Sequence, residues 1–388
     1  LYLIKDSLVK IIDIITETFH YRSTTVRDAD GHGHPGPEHD ATQTLLRVVS
    51  DEGVEGYAFG VNQAAINQIV KPMLLGQDAL YRERIWQALK ERQRLHLGLL
   101  SDKVLNAVDL ALWDLAGRYL GQPVHKLLGA FRDKVPAYAS TMCGDDLPGG
   151  LDTPQAFAEF ALWCKKRGYT AFKLHTWQPP MPGAPDPKRD VAACAAVREA
   201  IGPEMDLMLD PFHYYNRSDA LYLGRELEKL NFLWMEEPMA EHSIASYVWL
   251  SEQLGLTIVG PETAEGKMYT RAEWILRQAS DVSRGGVGDL GGLTPLVKTA
   301  HLCESFGVDM EVHGGGPGNL HMLCAMSFPG KYYERGLLHP FIDYEKPAPW
   351  LNRITDPMDD EGFVHVSPEP GLGWDINFDY IEGNKVTG

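Results

Sequence analysis

Three acidic residues, Asp210, Glu236 and Glu262, follow one another at intervals of 26 residues, each closing a short apolar run (LMLD, FLWME, TIVGPE). One strand, one helix and two loops fit that interval, as in a βα unit. Residues at the carboxyl ends of successive parallel strands meet at one mouth of a barrel. Three carboxylates meeting there, with no basic residue beside them in sequence, repel one another unless a hard cation lies between them. The spacing therefore predicts a Mg²⁺ site, with Mn²⁺ as the alternative. Glu237 is the weaker choice beside Glu236, because adjacent strand residues point to opposite faces.

Lys173 and His175 are two residues apart on one strand candidate and so share a face, which in a barrel is the interior. A cationic pair beside a metal suits the removal of a proton near neutral pH. His313 ends the run 308–312, across the barrel from His175, and precedes Gly314-Gly315-Gly316-Pro317-Gly318, where a ligand can approach the backbone closely. Two basic residues on opposite faces of one carbon can take a proton on one side and return it on the other. They can equally divide a dehydration, one taking the α-proton and the other protonating the leaving hydroxyl. Plainer readings stand beside these: a salt bridge for Lys173, a pocket wall for His175, a polar residue under the glycine loop for His313. Substrate contacts are expected from Arg284 in RGGVGDLGG, a stretch that matches neither the dinucleotide nor the Walker fingerprint. They are also expected from Glu334, if protonated, from His213 in the loop after Asp210, and from His32. His32 lies in DADGHGHPGPEHD, which reads as a lid or a solvated loop.

The elements that position these residues form two sets. Residues 1–60 read as antiparallel strands, with 45–49 and 54–59 joined by the turn Asp51-Glu52-Gly53. Residues 61–130 read as helices; Val104, Leu105, Val108, Ala111, Leu112 and Leu115 share one face, and Asp109, Trp113 and Asp114 read as core packing plus surface charge. From Lys134 a repeat begins. Strand candidates end at Ala139, His175, Asp210, Glu236, Glu262, Val282, Val312 and Tyr333. Helices are expected over 156–167, 192–200, 220–230, 244–254, 272–278 and 293–306. Eight strands close a barrel. The tail offers short strands at 364–366 and 374–378 and is expected to return to the N-terminal part. The division predicted is a cap over 1–133, a barrel over 134–344 and a returning segment over 345–388.

A formal net charge of −17 disfavours nucleic acid, which needs a basic face; a small anionic acid remains admissible because a bound cation reverses the local field. The five cysteines are scattered and odd in number, as in a reduced cytoplasmic enzyme. No apolar run is long enough to suggest a membrane span. The opening LYLIKDSLVKIIDI lacks a small-residue cleavage pattern and reads as a strand rather than a signal peptide.

The ordered set Lys173-x-His175, Asp210, Trp234-Met235-Glu236-Glu237-Pro238, Gly260-Pro261-Glu262, Gly291-Gly292, His313 and Glu334 resembles the enolase superfamily, in its mandelate racemase and muconate-lactonizing group. Asp51-Glu52-Gly53 with Gly56, the stretch 106–114 (NAVDLALWD) and Pro370-Gly371-Leu372-Gly373 extend the resemblance over nearly the whole chain. It implies an α/β fold, a modified TIM barrel of the (β/α)₇β type, capped by an α+β domain built from both chain ends. It implies Mg²⁺ held by Asp210, Glu236 and Glu262, reactions that begin with loss of the proton α to a carboxylate, and homo-oligomers, dimers or octamers. A flexible cap loop near 19–39 would set substrate choice. The leading expectation is a sugar-acid dehydratase making a 2-keto-3-deoxy acid, with His175, assisted by Lys173, as base and His313 as acid. A racemase or epimerase, a cycloisomerase of a lactone or anhydro-sugar acid, and a non-catalytic sugar-acid binder are the alternatives. The chain departs from the family pattern at His175, where a second lysine is common, at Phe212 and at Pro261. Counting back from Gly291-Gly292 without a gap also puts the family's histidine-partnering aspartate on Gly286. Asp281 would match if the glycine run were an insertion; Asp289 or Glu311 would be substitutes.

Overall fold

A computed structural model describes residues 8–28, 31–327 and 330–386. The cap sheet is built from β1 (Ile11–Arg27), β2 (Gly33–Ser50) and β3 (Glu55–Phe59), all antiparallel. β1 and β2 pair from Ile11↔Ser50 out to Arg27↔Gly33. The histidine- and proline-rich segment expected as a loop is therefore largely strand. β3 covers only Leu45–Val49 of β2, so Pro35 and Pro37 lie where the sheet has an open edge, and Pro35 adjoins the register shift between Ser23 and Thr25. A missing N–H is tolerated in such places.

Helix Asp102–Leu120 lies against this sheet, and a Cβ on Gly56 would stand 2.0 Å from the Ala111 carbonyl oxygen, which is why the crossing needs glycine. Asp109 and Asp114, read as surface charge, are buried braces instead. Asp109 accepts from the Thr294 amide (2.8 Å) and hydroxyl (2.6 Å), tying cap to barrel. Asp114 accepts from the amides of Tyr57 and Leu372, tying in the tail. The expected strand at 374–378 is only a bridge between Leu351 and Ile376, followed by helix Phe378–Gly383.

Eight parallel strands follow: β4 (Lys134–Cys143), β5 (Ala171–His175), β6 (Asp206–Asp210), β7 (Trp234–Glu236), β8 (Thr257–Val259), β9 (Val282–Arg284), β10 (Asp309–Glu311) and β11 (Tyr333–Leu338). β4 to β10 pair in chain order, and β11 returns to pair with β4; β12 (Phe363–His365) adds antiparallel to β4. The intervening helices include Pro154–Lys166, Pro187–Ile201 and Arg217–Lys229, begun by side-chain caps from Thr153, Asp186 and Asn216. This is the α/β modified barrel expected. Tyr138, Ala171, Met208, Trp234, Val259 and Tyr332 fill its floor as one apolar cluster. Two residues further along each strand the side chain faces the interior again. That rule stacks Ser140, Lys173, Asp210, Glu236 and Glu334 as the next layer, and all five are buried. Among the described residues no helix is long and apolar enough to cross a membrane.

Candidate active site

The layer above the floor is a charged network. Lys173 Nζ lies 3.0 Å from Glu236 Oε1, 3.0 Å from Glu334 Oε1 and 3.7 Å from Asp210 Oδ2. Burial alone would strip its proton; Glu236 and Glu334 more than offset that and hold the amine firmly as a cation. Arg284, fully buried, reaches Glu236 (2.7 Å), Glu334 (2.8 Å) and Glu262 (3.3 Å). Glu334 also accepts from Ser140 Oγ (2.8 Å) and the Gly314 amide (2.7 Å). Burial raises the Glu334 proton affinity, but Lys173 and Arg284 outweigh it and keep the carboxyl well below its usual range.

These contacts correct two expectations. Arg284 does not reach out to a substrate's far end; it is consumed beneath the site by three carboxylates. Glu334 is ionised and filled with donors, so it has no proton to offer a substrate.

The three carboxylates that converge are Asp210, Glu237 and Glu262, each offering an oxygen within 4.8 Å of the others. Glu236, the expected ligand, faces the interior but lies deeper, held by Lys173, Arg284 and the Trp234 indole N–H (3.1 Å). Glu237 follows β7 with φ of 27°, where the chain has left the pleat that would have turned it outward. Its Oε2 is buried without a hydrogen-bond partner. Burial and the repulsion of Glu262 and Asp210 raise the Glu237 proton affinity well above normal. Burial does the same to Glu262, against His313. Asp210 is buried too, but His175 and Lys173 prevail and keep it ionised. An all-oxygen, triply acidic, partly unsatisfied donor set of this kind fits a hard divalent cation.

Two histidines flank the carboxylates. His175 Nδ1 lies 2.6 Å from the Thr141 carbonyl oxygen, which can only accept, so Nδ1 carries the hydrogen. Its Nε2 faces Asp210 Oδ2 at 3.1 Å. Phe212 stacks on the ring at 4.7 Å and is itself covered by His32 at 4.3 Å. Asp28 holds His32 (3.2 Å) and His34 (2.9 Å), and through His32 on Phe212 the cap reaches the mouth. His213, about two-fifths exposed, stands at the same rim with Nδ1 3.7 Å from Glu237. Phe212 and His213 both take left-handed conformations, φ 49° and 54°, as the loop turns over the site.

His313 Nδ1 is 2.7 Å from Asp289 Oδ2, and Nε2 is 3.2 Å from Glu262 Oε1. Burial lowers its proton affinity, but Asp289 and Glu262 carry it up to about 10. Asp289 is thus the partner, supplied from the short turn of helix Val287–Leu290 rather than from a strand end. At Gly286 no side chain is admissible: a Cβ there would stand 2.1 Å from the His313 carbonyl oxygen. Asp289 instead reaches back and also accepts from the Gly286 amide at 2.7 Å. The other candidates are engaged elsewhere, Asp281 with the Ile258 amide and Glu311 with the Lys331 amide. Sequence reasoning missed Thr141, which sets the His175 tautomer through a backbone oxygen that no motif reveals.

Residues 34–129 match the N-terminal domain of the mandelate racemase / muconate lactonizing enzymes, and residues 156–380 match the enolase C-terminal domain-like family. The chain belongs to the mandelate racemase / muconate lactonizing enzyme family of the enolase superfamily. A crystal structure of D-glucarate dehydratase from Agrobacterium tumefaciens complexed with magnesium is 51% identical and superposes with a TM-score of 0.96, over 98% of this chain and 100% of that one. Arabinonate dehydratase of Saccharolobus solfataricus is 28% identical over 90% of this chain and 92% of its own length. The D-galactarolactone cycloisomerase of Agrobacterium fabrum is 27% identical over 87% of this chain and 89% of its own.

Proposed function

We propose that this protein is a Mg²⁺-dependent sugar-acid dehydratase acting on an aldarate of the D-glucarate type. The observation that carries the reading is the pair of histidines set on two sides of one carboxylate cluster, each with Nδ1 engaged and Nε2 turned to the site. The 51% identity with a D-glucarate dehydratase supports the substrate class.

Asp210, Glu237 and Glu262 would hold the cation. Bound Mg²⁺ supplies positive charge to the oxygens of the substrate's carboxylate and so acidifies the adjoining C–H. His175 is the base: Thr141 engages the Nδ1 hydrogen, so proton exchange with the α-carbon falls to Nε2, which in the structure faces Asp210 and would be released as Asp210 turns to the cation. Lys173 is not the base: two carboxylates hold it as an ammonium, and it contributes charge beside Asp210. His313, kept protonated by Asp289, gives its Nε2 proton to the departing β-hydroxyl. The α C–H and β C–O bonds break, water leaves, and the enol becomes a 2-keto-3-deoxy acid. The rim residues His32 and His213 are assigned to the distal hydroxyls and carboxylate. Phe212 between His32 and His175 excludes water from the base.

We also infer a homo-oligomer, dimer or octamer, in the cytoplasm; the five cysteines are buried and unpaired, which suits a reducing compartment. Light scattering reads the assembly. Incubation of D-glucarate and a panel of aldarates and aldonates with Mg²⁺ in D₂O tests the reaction. The expected result is loss of substrate with one equivalent of 2-keto-3-deoxy acid. Deuterium uptake at Cα without keto acid would replace dehydration by epimerisation, and ring opening of a lactone without water loss would replace it by cycloisomerisation.

A further inference from the structure

Glu262 lies three residues beyond the end of β8, after Gly260-Pro261, so no strand pairing fixes it. Something else must, because a ligand's orientation sets metal affinity. Two buried, oppositely charged side chains grip the segment that carries it. Glu241 accepts from the Glu262 amide (2.5 Å), the Thr263 amide (2.7 Å), the Thr263 hydroxyl (3.2 Å) and the Ala264 amide (2.8 Å). Arg271, fully buried, donates Nη2 to the Glu262 carbonyl (2.5 Å), Nη1 to the Ala264 carbonyl (3.1 Å) and Nε to the Arg284 carbonyl at the end of β9 (3.1 Å). The amides of one turn are thus held by an anion and its carbonyls by a cation.

We propose that Glu241 and Arg271 are positioning residues that form a two-sided clamp on residues 262–264 and preset the Glu262 carboxylate for the divalent cation. The clamp rests on the assignment of Glu262 as a ligand. It acts through backbone groups and touches neither substrate nor cation. Arg271 also ties the ligand's loop to β9, whose Arg284 side chain contacts Glu262 from below at 3.3 Å. Glu262 is therefore held at its amide by Glu241, at its carbonyl by Arg271 and at its carboxylate by Arg284 before any metal arrives.

The test uses the full-length protein freed of metal, with Mg²⁺ affinity measured by calorimetry and rate measured against Mg²⁺ concentration. Glu241→Gln leaves one carbonyl oxygen where two carboxylate oxygens served four donors, and turns an amide N–H₂ toward other donors. Its Mg²⁺ Kd should rise about 10–100-fold, the usual effect of losing a group that orients a ligand. The rate deficit should be larger at low Mg²⁺ than at saturation, a split that a general loss of folded protein does not produce. Arg271→Lys keeps the buried charge but gathers its three donors on one nitrogen, which cannot span the carbonyls of Glu262, Ala264, Lys267 and Arg284 that the guanidinium reaches, and should raise the Kd in the same direction. It replaces Glu241→Gln if that variant fails to fold. Glu262→Gln separates the two ideas. If it weakens Mg²⁺ binding while Glu241→Gln and Arg271→Lys both leave the Kd within twofold, the clamp is refuted. If Glu262→Gln itself leaves the Kd unchanged, the ligand assignment falls and the clamp with it.

Discussion

Lys173→Met is the most informative single change beneath the site. The substitution keeps the length of the side chain and removes its charge. In the native network Lys173 contacts Glu236 and Glu334, each at 3.0 Å, in an environment without solvent. Its loss leaves Arg284 alone to neutralise Glu236 and Glu334 while it also contacts Glu262. Breaking a buried ion pair by removing one partner costs about 3–5 kcal/mol. Globular proteins unfold with about 2.1 cal/mol/K per residue, so for this chain the cost is a Tm lowered by roughly 4–6 °C. Adding Glu334→Gln relieves the excess charge, and the double variant should recover roughly 1–3 kcal/mol relative to the sum of the singles. Mg²⁺ affinity should not weaken, because the removed group is a cation near Asp210 rather than a ligand. Differential scanning calorimetry of the metal-free proteins, with Mg²⁺ titration alongside, measures all three quantities. A Tm within 1 °C of wild type, by this estimate, or strictly additive singles, would show that the lysine does not bridge these carboxylates.

Glu237→Gln should raise the Mg²⁺ Kd more than about 100-fold, beyond the range for groups that merely orient ligands, whereas Glu236→Gln should disturb stability more than Mg²⁺ affinity; calorimetric titration giving the opposite ranking would reinstate Glu236 as the ligand. Asp289→Asn should lower kcat by about 10²–10⁴, the usual worth of an acid–base group, with Mg²⁺ affinity retained, and a wild-type rate would remove Asp289 from the mechanism. His321 carries a stability prediction: burial is the main cause that lowers its pKa from 6.5 to about 3, so the folded protein keeps the ring neutral while the unfolded chain protonates it. The sign is that this contribution is complete above the unfolded value and is lost as pH falls toward the folded one. Linkage puts the loss between pH 7 and pH 5 at about 2 kcal/mol. Urea unfolding at the two pH values should show it, and His321→Asn should remove nearly one proton from the slope; an unchanged slope would refute the assignment.

Much of this architecture was readable from residue patterns because barrel strands and helices repeat. The strand ends at His175, Asp210 and Glu236 are as expected, and helix Leu293–Phe306 matches its predicted span. The long hairpin was not readable. Gly33, Pro35 and Pro37 carry turn signals, yet pairing with β1 overrides them where the sheet edge is open. Asp109 and Asp114 look like surface charge on a helix wheel and are buried because their acceptors meet amides from β3, the tail and the barrel, partners distant in sequence. Asp289 was one of several candidates for the partner of His313, and only the steric closure at Gly286 explains why an acid three residues later took the task.

The exchange of Glu236 for Glu237 has a reason that alternation along a strand does not contain. Alternation correctly turns Glu236 inward, above Trp234. Facing inward at that depth means facing Lys173 and Arg284, which both take its Oε1 while the Trp234 indole N–H takes Oε2, before a cation could. The cluster forms at the upper edge of that layer, where strands are ending: Asp210 is the last residue of β6, Glu237 is one past β7, and Glu262 is three past β8. Asp210 is still turned inward by the pleat, but for Glu237 and Glu262 the side chain's direction is set by loop dihedrals and loop hydrogen bonds. Lys173 and Arg284 and the acidic cluster at the strand ends are therefore complementary parts of one device. The two cations hold Glu236 and Glu334 so that their charge is spent, and Asp210, Glu237 and Glu262, with Glu237 Oε2 unpartnered, keep an acidic excess that suits a cation from solution.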